Sequence, residues 1–213
     1  MAMTVRITYA ASNSARQLGR QSSHLVSQAH SMSASPPTVL LLAAGRSARF
    51  RAASGGQDKL DALLHGRRVR DWTLAAAQAS GLPWHVVERS HTAHLALPGM
   101  GDSIACGVAA TRHATAWLVL PADLPLVQPD TLLQVAKALQ AHTVVVPIWQ
   151  GERGHPVGFA ASCRPELLAL TGDSGARAVV QHYGAHLLAV QDAGCVHDVD
   201  TPQALEEARQ RLG

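Results

Sequence analysis

Three short stretches of this sequence combine the residue types that phosphate chemistry needs. The first runs Leu42-Ala43-Ala44-Gly45-Arg46-Ser47-Ala48-Arg49 and continues to Arg51 and, within Gly56-Gln57-Asp58-Lys59-Leu60, to Lys59. Around a glycine, exposed backbone N–H groups let an anion approach closely, and the four nearby cations would balance an oligophosphate. The same composition also suits a mobile basic loop in which Gly45 only turns the chain. The second stretch, Pro121-Ala122-Asp123-Leu124-Pro125, pins an acidic residue between two prolines directly after an apolar run. Proline narrows the backbone on either side, so the carboxylate is fixed in place. A hard cation such as Mg²⁺ takes such an oxygen ligand, although a turn residue or helix cap has the same appearance. The third, Asp198-Val199-Asp200-Thr201-Pro202, places two carboxylates two residues apart before a helix. Asp200 or Thr201 can cap that helix, which Pro202 opens. Asp198 has no such duty and is the better metal candidate. Neither Gly-x4-Gly-Lys-Ser/Thr nor Gly-x-Gly-x-x-Gly is present, which removes the main support for P-loop NTPases and dinucleotide dehydrogenases.

Other features invite chemistry and mostly fail to support it. Gly172-Asp173-Ser174-Gly175 copies the local signature of a trypsin-like nucleophile. Such proteases are all-β and stapled by disulfides, whereas Cys106, Cys163 and Cys195 are scattered here. Twelve histidines show no His-x3-His or His-Glu-x2-His pairing on a helix face. Cys106 reads as a small buried hydrophobe, and Trp72, Trp84, Trp117 and Trp149 read as core residues.

The elements that must position these groups alternate in kind. Apolar runs at 38–43, 84–87, 117–120, 143–148 and 186–190 read as strands. Helical spacing appears over 69–80, 102–112, 131–141, 166–170, 175–183 and 202–212, with Pro129 at the first turn of the third. A turn at 150–154 leads to 157–160, a candidate hairpin partner. Such alternation predicts an α/β domain: a mostly parallel sheet flanked by helices, with a small β-hairpin insertion. Ligands of such sheets bind at the carboxyl ends of strands, so the residues after Ala43, Leu120 and Val196 should meet on one rim.

Residues 1–36 carry Arg6, Arg16 and Arg20 and no acidic residue, in a Ser/Ala/Gln-rich setting. They read as a tail or linker, with a targeting leader as the alternative, and residues 37–213 as one domain. The three arginines account for the whole formal net charge of +3, so the domain itself is neutral and nucleic acid is not an expected partner. No apolar run approaches the roughly 18 residues of a membrane span, and the cysteine pattern suits a reducing cytoplasm.

Taken together, Leu-Ala-Ala-Gly-Arg-Ser-x-Arg-Phe (42–50), Asp-Lys-Leu (58–60), Gly-Met-Gly-Asp-Ser-Ile-Ala-x-Gly-Val (99–108), Pro-Ala-Asp-Leu-Pro (121–125), Gly-Glu-Arg-Gly-His-Pro-Val-Gly-Phe (151–159), Gly-Asp-Ser-Gly-Ala-Arg (172–177) and Asp-Val-Asp-Thr-Pro (198–202) resemble the molybdenum cofactor cytidylyltransferase family. The resemblance covers residues 38–212 in order. It implies a Rossmann-like nucleotidyltransferase that joins CTP to molybdopterin with release of pyrophosphate, and a molybdenum hydroxylase as a possible recipient of the product. By matching position, Ala43, Ala44, Gly45, Arg46, Arg49 and Lys59 would embrace the triphosphate, with Arg49, Lys59 and Asp123 catalytic. Asp123 and Asp198 would hold Mg²⁺, Gly101 and Ser103 would recognise the nucleotide, and Arg153, His155, Asp173 and Arg177 would face the pterin. The Ala-Ala-Gly loop resembles cytidylyl more than guanylyl relatives, which usually show Leu-Ala-Gly-Gly. A GTP-dependent guanylyltransferase, a nucleotidyltransferase for another small phosphorylated acceptor, and a non-catalytic cofactor-delivery protein are the alternatives. The connection from Phe50 to Asp58 is longer than this family's usual one, which bears on how Lys59 is placed.

Overall fold

A computed structural model of the protein describes residues 35–212. The segment read above as a tail lies, up to residue 34, outside the described residues. The elements are β1 (Thr38–Ala43), α1 (Ala48–Ala53), β2 (Leu63–Leu64), β3 (Arg67–Arg68), α2 (Val69–Ala79), β4 (Trp84–Glu88), α3 (Met100–Ala110), β5 (Ala116–Pro121), α4 (Pro129–Ala138), β6 (Val144–Trp149), β7 (Glu152–Arg153), β8 (Val157–Ala160), α5 (Arg164–Leu168), α6 (Arg177–Tyr183), β9 (His186–Ala189) and α7 (Pro202–Leu212).

Seven strands form one sheet in the order β4-β1-β5-β8-β6-β7, with β9 beside β6. β1 pairs in parallel with β4 and β5, and β6 with β9, whereas β8 pairs antiparallel with both β5 and β6. Strands β4, β1, β5, β6 and β9 therefore share one direction, and β8 and β7 run against it. The expected hairpin partner, residues 157–160, is β8, which pairs antiparallel with β6 and lies between it and β5; the short β7, which the sequence did not suggest, pairs antiparallel with the end of β6.

The continuous apolar run of β1 is explained by burial on both faces. Val39 and Leu41 pack on one side with Ala77 of α2 and with Leu132 and Val135 of α4. Leu40 and Leu42 pack on the other with Ile104 and Val108 of α3, Leu167 of α5 and Val179 of α6. Each fully buried side chain of this size contributes roughly 1.5–3 kcal/mol of transfer free energy. A third cluster joins Phe50, Leu64, Val69, Leu126, Val199 and Ala208, which anchors α1, the β2–β3 hairpin and α7 together. Neither α1 nor the β2–β3 hairpin was expected from the sequence. The Arg-rich composition of 48–53 hides a single anchoring residue, Phe50, and two-residue strands leave no periodicity to read.

Other boundaries move for local reasons. α3 begins two residues before the expected 102 because the Asp102 carboxylate accepts the backbone N–H of Gly99 at 2.8 Å and so caps the first turn. α4 opens on Pro129 itself. Trp117 is fully buried as expected, but Trp84 lies on the edge strand β4 and is 45% exposed, and Cys106 is only partly buried. Among the described residues no helix is long and apolar enough to cross a membrane.

Candidate active site

The chain that leaves β1 turns sharply at Gly45-Arg46-Ser47, with Ser47 in the left-handed region at φ 53°, and enters α1. The neighbouring strand β5 delivers Asp123 to the same rim. Its position is tied from three sides: the Ala122 N–H donates to the Leu42 carbonyl at 3.1 Å, the Val199 N–H to the Asp123 carbonyl at 2.8 Å, and the Thr73 hydroxyl to the Ala122 carbonyl at 3.0 Å. The bond from Val199 also draws in the segment carrying Asp198 and Asp200. The three loop ends expected to meet on one rim do meet there.

At their junction the Lys59 ammonium donates to Asp123 Oδ2 and to Asp200 Oδ1, each at 2.5 Å, while Arg49 pairs with Asp200 Oδ2 at 2.5 Å. Burial alone would lower the Lys59 pKa, but the charges and hydrogen bonds of Asp123 and Asp200 outweigh it and hold the pKa above its ordinary value. Asp123, Asp198 and Asp200 each offer an oxygen within 4.8 Å of the others. Burial, reinforced by the like charges of Asp200 and Asp123, raises the Asp198 pKa, and Lys59 opposes the shift. Asp123 Oδ1 is buried with no partner, although its sister oxygen is bound by Lys59. An unpartnered buried carboxylate oxygen facing two further carboxylates is the chemistry that a hard divalent cation satisfies, so this donor set fits one.

These groups, apart from the exposed Asp198, border a cavity of about 540 Å³ whose wall includes Ala44, Gly45, Arg46, Arg49, Lys59 and Asp123. Ser103, Asp173 and Asp200 also face it. Asp200, set aside in the sequence as a cap, is thus a site residue, and Thr201 does the capping by accepting the Ala204 N–H at 3.1 Å. The Asp-x-Asp alternation was the available signal, since in an extended segment both carboxylates fall on one side.

Other expected residues sit elsewhere. Ala43 is the buried last residue of β1. Gly101 is inside α3, where a Cβ would lie 2.8 Å from the Thr171 carbonyl oxygen, so helix–loop packing accounts for this glycine. Asp102 completes that contact by accepting the Gly172 N–H at 2.9 Å as well as that of Gly99, and it thereby carries Asp173 to the cavity. Arg153 on β7 and Arg177 on α6 are exposed and not in the cavity wall. His155 is not in the wall either. Its N–H donates to the Cys195 carbonyl at 2.8 Å, its ring feels the Asp123 charge, and its Nδ1 is buried without a partner. Burial lowers its pKa, with Asp123 and the Val119 backbone opposing.

The MobA-like NTP transferase domain family matches residues 39–187, a span that includes the Gly45 loop, Lys59 and Asp123, while Asp198 and Asp200 lie beyond it. The chain belongs to this family. Purine catabolism protein PucB of Bacillus subtilis (strain 168) is 29% identical to this MobA-like protein over 203 residues, covering 81% of this chain and 96% of that protein. The bifunctional enzyme IspD/IspF of Ruegeria sp. (strain TM1040) is 29% identical over 197 residues, covering 81% of this chain and 48% of its own. Among solved structures, Rv0371c from Mycobacterium tuberculosis H37Rv superposes with a TM-score of 0.68 at 26% identity, covering 82% of this chain and 98% of that one. A structure of the same mycobacterial protein in complex with manganese gives a TM-score of 0.63 at 24% identity, with the same coverage. The fold is thus that of a nucleotidyltransferase with a mixed, mostly parallel sheet.

Proposed function

We propose that this MobA-like nucleotidyltransferase is a Mg²⁺-dependent cytidylyltransferase that joins CTP to molybdopterin and releases pyrophosphate. The observation that carries this reading is Lys59 held between Asp123 and Asp200 on the wall of the cavity that the Gly45 loop borders. An anion cradle, a cation bridging carboxylates, and an oxygen donor set for a metal stand together, as nucleotidyl transfer requires. The choice of cytidine rests on the Ala43-Ala44-Gly45 loop and on Gly99-Met-Gly-Asp-Ser103, and the choice of molybdopterin on the whole ordered series of motifs. The manganese complex of the mycobacterial protein supports a divalent cation.

In this reading a terminal phosphate oxygen of molybdopterin attacks the α-phosphorus of CTP. The bond to the oxygen bridging the α- and β-phosphates breaks, and pyrophosphate leaves with that oxygen's electron pair. The N–H groups at Ala44–Arg46, with Arg46 and Arg49, bind and orient the triphosphate. Lys59 transfers its contact from the carboxylates to the charge growing on the leaving group, and positioning with charge stabilisation does most of the work. Asp123, Asp198 and Asp200 would hold the cation, which when bound polarises phosphate oxygens. Met100, Ser103 and Asp173 line the same cavity, where in this reading Ser103 meets the nucleotide and Asp173 the acceptor.

Incubating the purified protein with molybdopterin, Mg²⁺ and either CTP or GTP, and measuring pyrophosphate, tests the reading. CTP-dependent release is the expected result. Release with GTP alone overturns the base assignment, and release with neither overturns molybdopterin as the acceptor.

A further inference from the structure

The lengthened connection between Phe50 and Asp58 raises a physical problem that the transfer chemistry does not address. Longer loops cost more entropy to order, and this one separates the Gly45 turn from Lys59, two parts that must grip the same triphosphate. The connection ends on Asp58, whose carboxylate is crowded with donors. Its Oδ1 accepts the Ser47 hydroxyl at 2.9 Å and the Leu60 N–H at 3.0 Å, and its Oδ2 accepts Arg51 at 2.8 Å and also Arg89. Burial pushes the Asp58 pKa upward, but the two guanidinium groups and the two other donors hold it well below the usual carboxylate range.

Arg89 extends this hub. Its guanidinium also donates to the Gly45 carbonyl, at 2.5 Å from one nitrogen and 3.2 Å from another. A loop that binds anions must present N–H groups and engage its carbonyl oxygens elsewhere. Arg89 engages that of Gly45. Ser47 presents a related problem, because a non-glycine residue in the left-handed region persists only where its surroundings hold it. The bond from its hydroxyl to Asp58 supplies the restraint. Neither Asp58 nor Arg89 is part of the cavity wall.

We propose that Asp58 and Arg89 form an ionic clip that sets the shape of the triphosphate loop before nucleotide arrives. Through Ser47 and Gly45 it holds the turn after β1, and through Leu60 it holds the turn that carries Lys59, so that the two grip the ligand as one unit. Asp58 and Arg89 are positioning residues that touch neither substrate nor cation. The inference rests on the nucleotidyl-transfer reading of the Gly45 loop.

Calorimetric titration of CTP and GTP into the full-length wild type, Arg89→Met, Arg89→Lys and Asp58→Asn, alongside thermal midpoints, tests it. Arg89→Met should weaken CTP binding by about tenfold or more, the size expected for loss of charge-assisted hydrogen bonds, and Arg89→Lys should recover part of the loss. In steady state the KM for nucleotide should rise while the KM for acceptor stays put. The Arg89 side chain is 47% exposed, so Arg89→Met should melt with the wild type, and it decides the matter even where Asp58→Asn fails to fold. An Arg89→Met protein that binds CTP as tightly as the wild type overturns the clip and leaves the nucleotidyltransferase reading standing. A wild type that binds neither CTP nor GTP overturns that reading and the clip with it.

Discussion

Lys59 is charged in the resting protein because two carboxylates outweigh its burial, and those carboxylates are also candidate cation ligands. The ammonium and a divalent cation therefore compete for the same carboxylates until a triphosphate gives Lys59 another partner. Lys59→Met should tighten Mn²⁺ binding in the absence of nucleotide, read by paramagnetic resonance, while abolishing turnover. Asp123→Asn should lower the rate of pyrophosphate release by about 10²–10³-fold, the order found when one charge-stabilising group is removed, with the fold kept. His155 gives a pH dependence. Burial lowers its pKa from the ordinary 6.5, so the unfolded chain takes up the proton more readily than the folded one. The stability it contributes is complete above 6.5 and is lost as the pH falls toward the folded value. Thermal midpoints should drop on acidification through that range, and His155→Gln should flatten the slope.

Between elements, some approaches leave room only for glycine. A Cβ at Gly101 would press on the Thr171 carbonyl, and that loop carries Asp173. Gly101→Ala should cost about 1–3 kcal/mol, the usual penalty of overpacking, in urea denaturation, and should raise the KM for acceptor more than that for CTP. This position shows what the sequence could and could not reveal. The motif at 99–108 marked Gly101 as important, but its neighbour Thr171 is distant in the chain, so helix packing looked like ligand binding. Continuous apolar runs made β1, β5 and β6 legible because burial on both faces demands them. Asp123 was legible through its flanking prolines. Asp200 was not, because helix capping and ion pairing call for the same residue types, and only the position of Lys59 separates them. Arg89 left no local mark, since its partner Gly45 lies far off in sequence, and the local bond of Asp102 to Gly99 gave no hint of its second bond to Gly172.

At the scale of the whole molecule, the cavity wall is drawn from residues between Leu42 and Asp200, all within the described residues. A protein starting at Ser35 should therefore keep turnover within about twofold of the full chain, since the residues placed in the reaction all lie after it. A large loss would assign residues 1–34 a part in the reaction. The sheet also imposes an order in time. Lys59 is made 64 residues before Asp123 and 141 before Asp200. A growing chain thus makes the residues of its anion-binding loop early, meets its first carboxylate midway, and gains the other two only with the segment entering α7. On the proposed function, a chain cut short before Asp198 lacks two of its three candidate cation ligands and should show no turnover, however much of the sheet it forms.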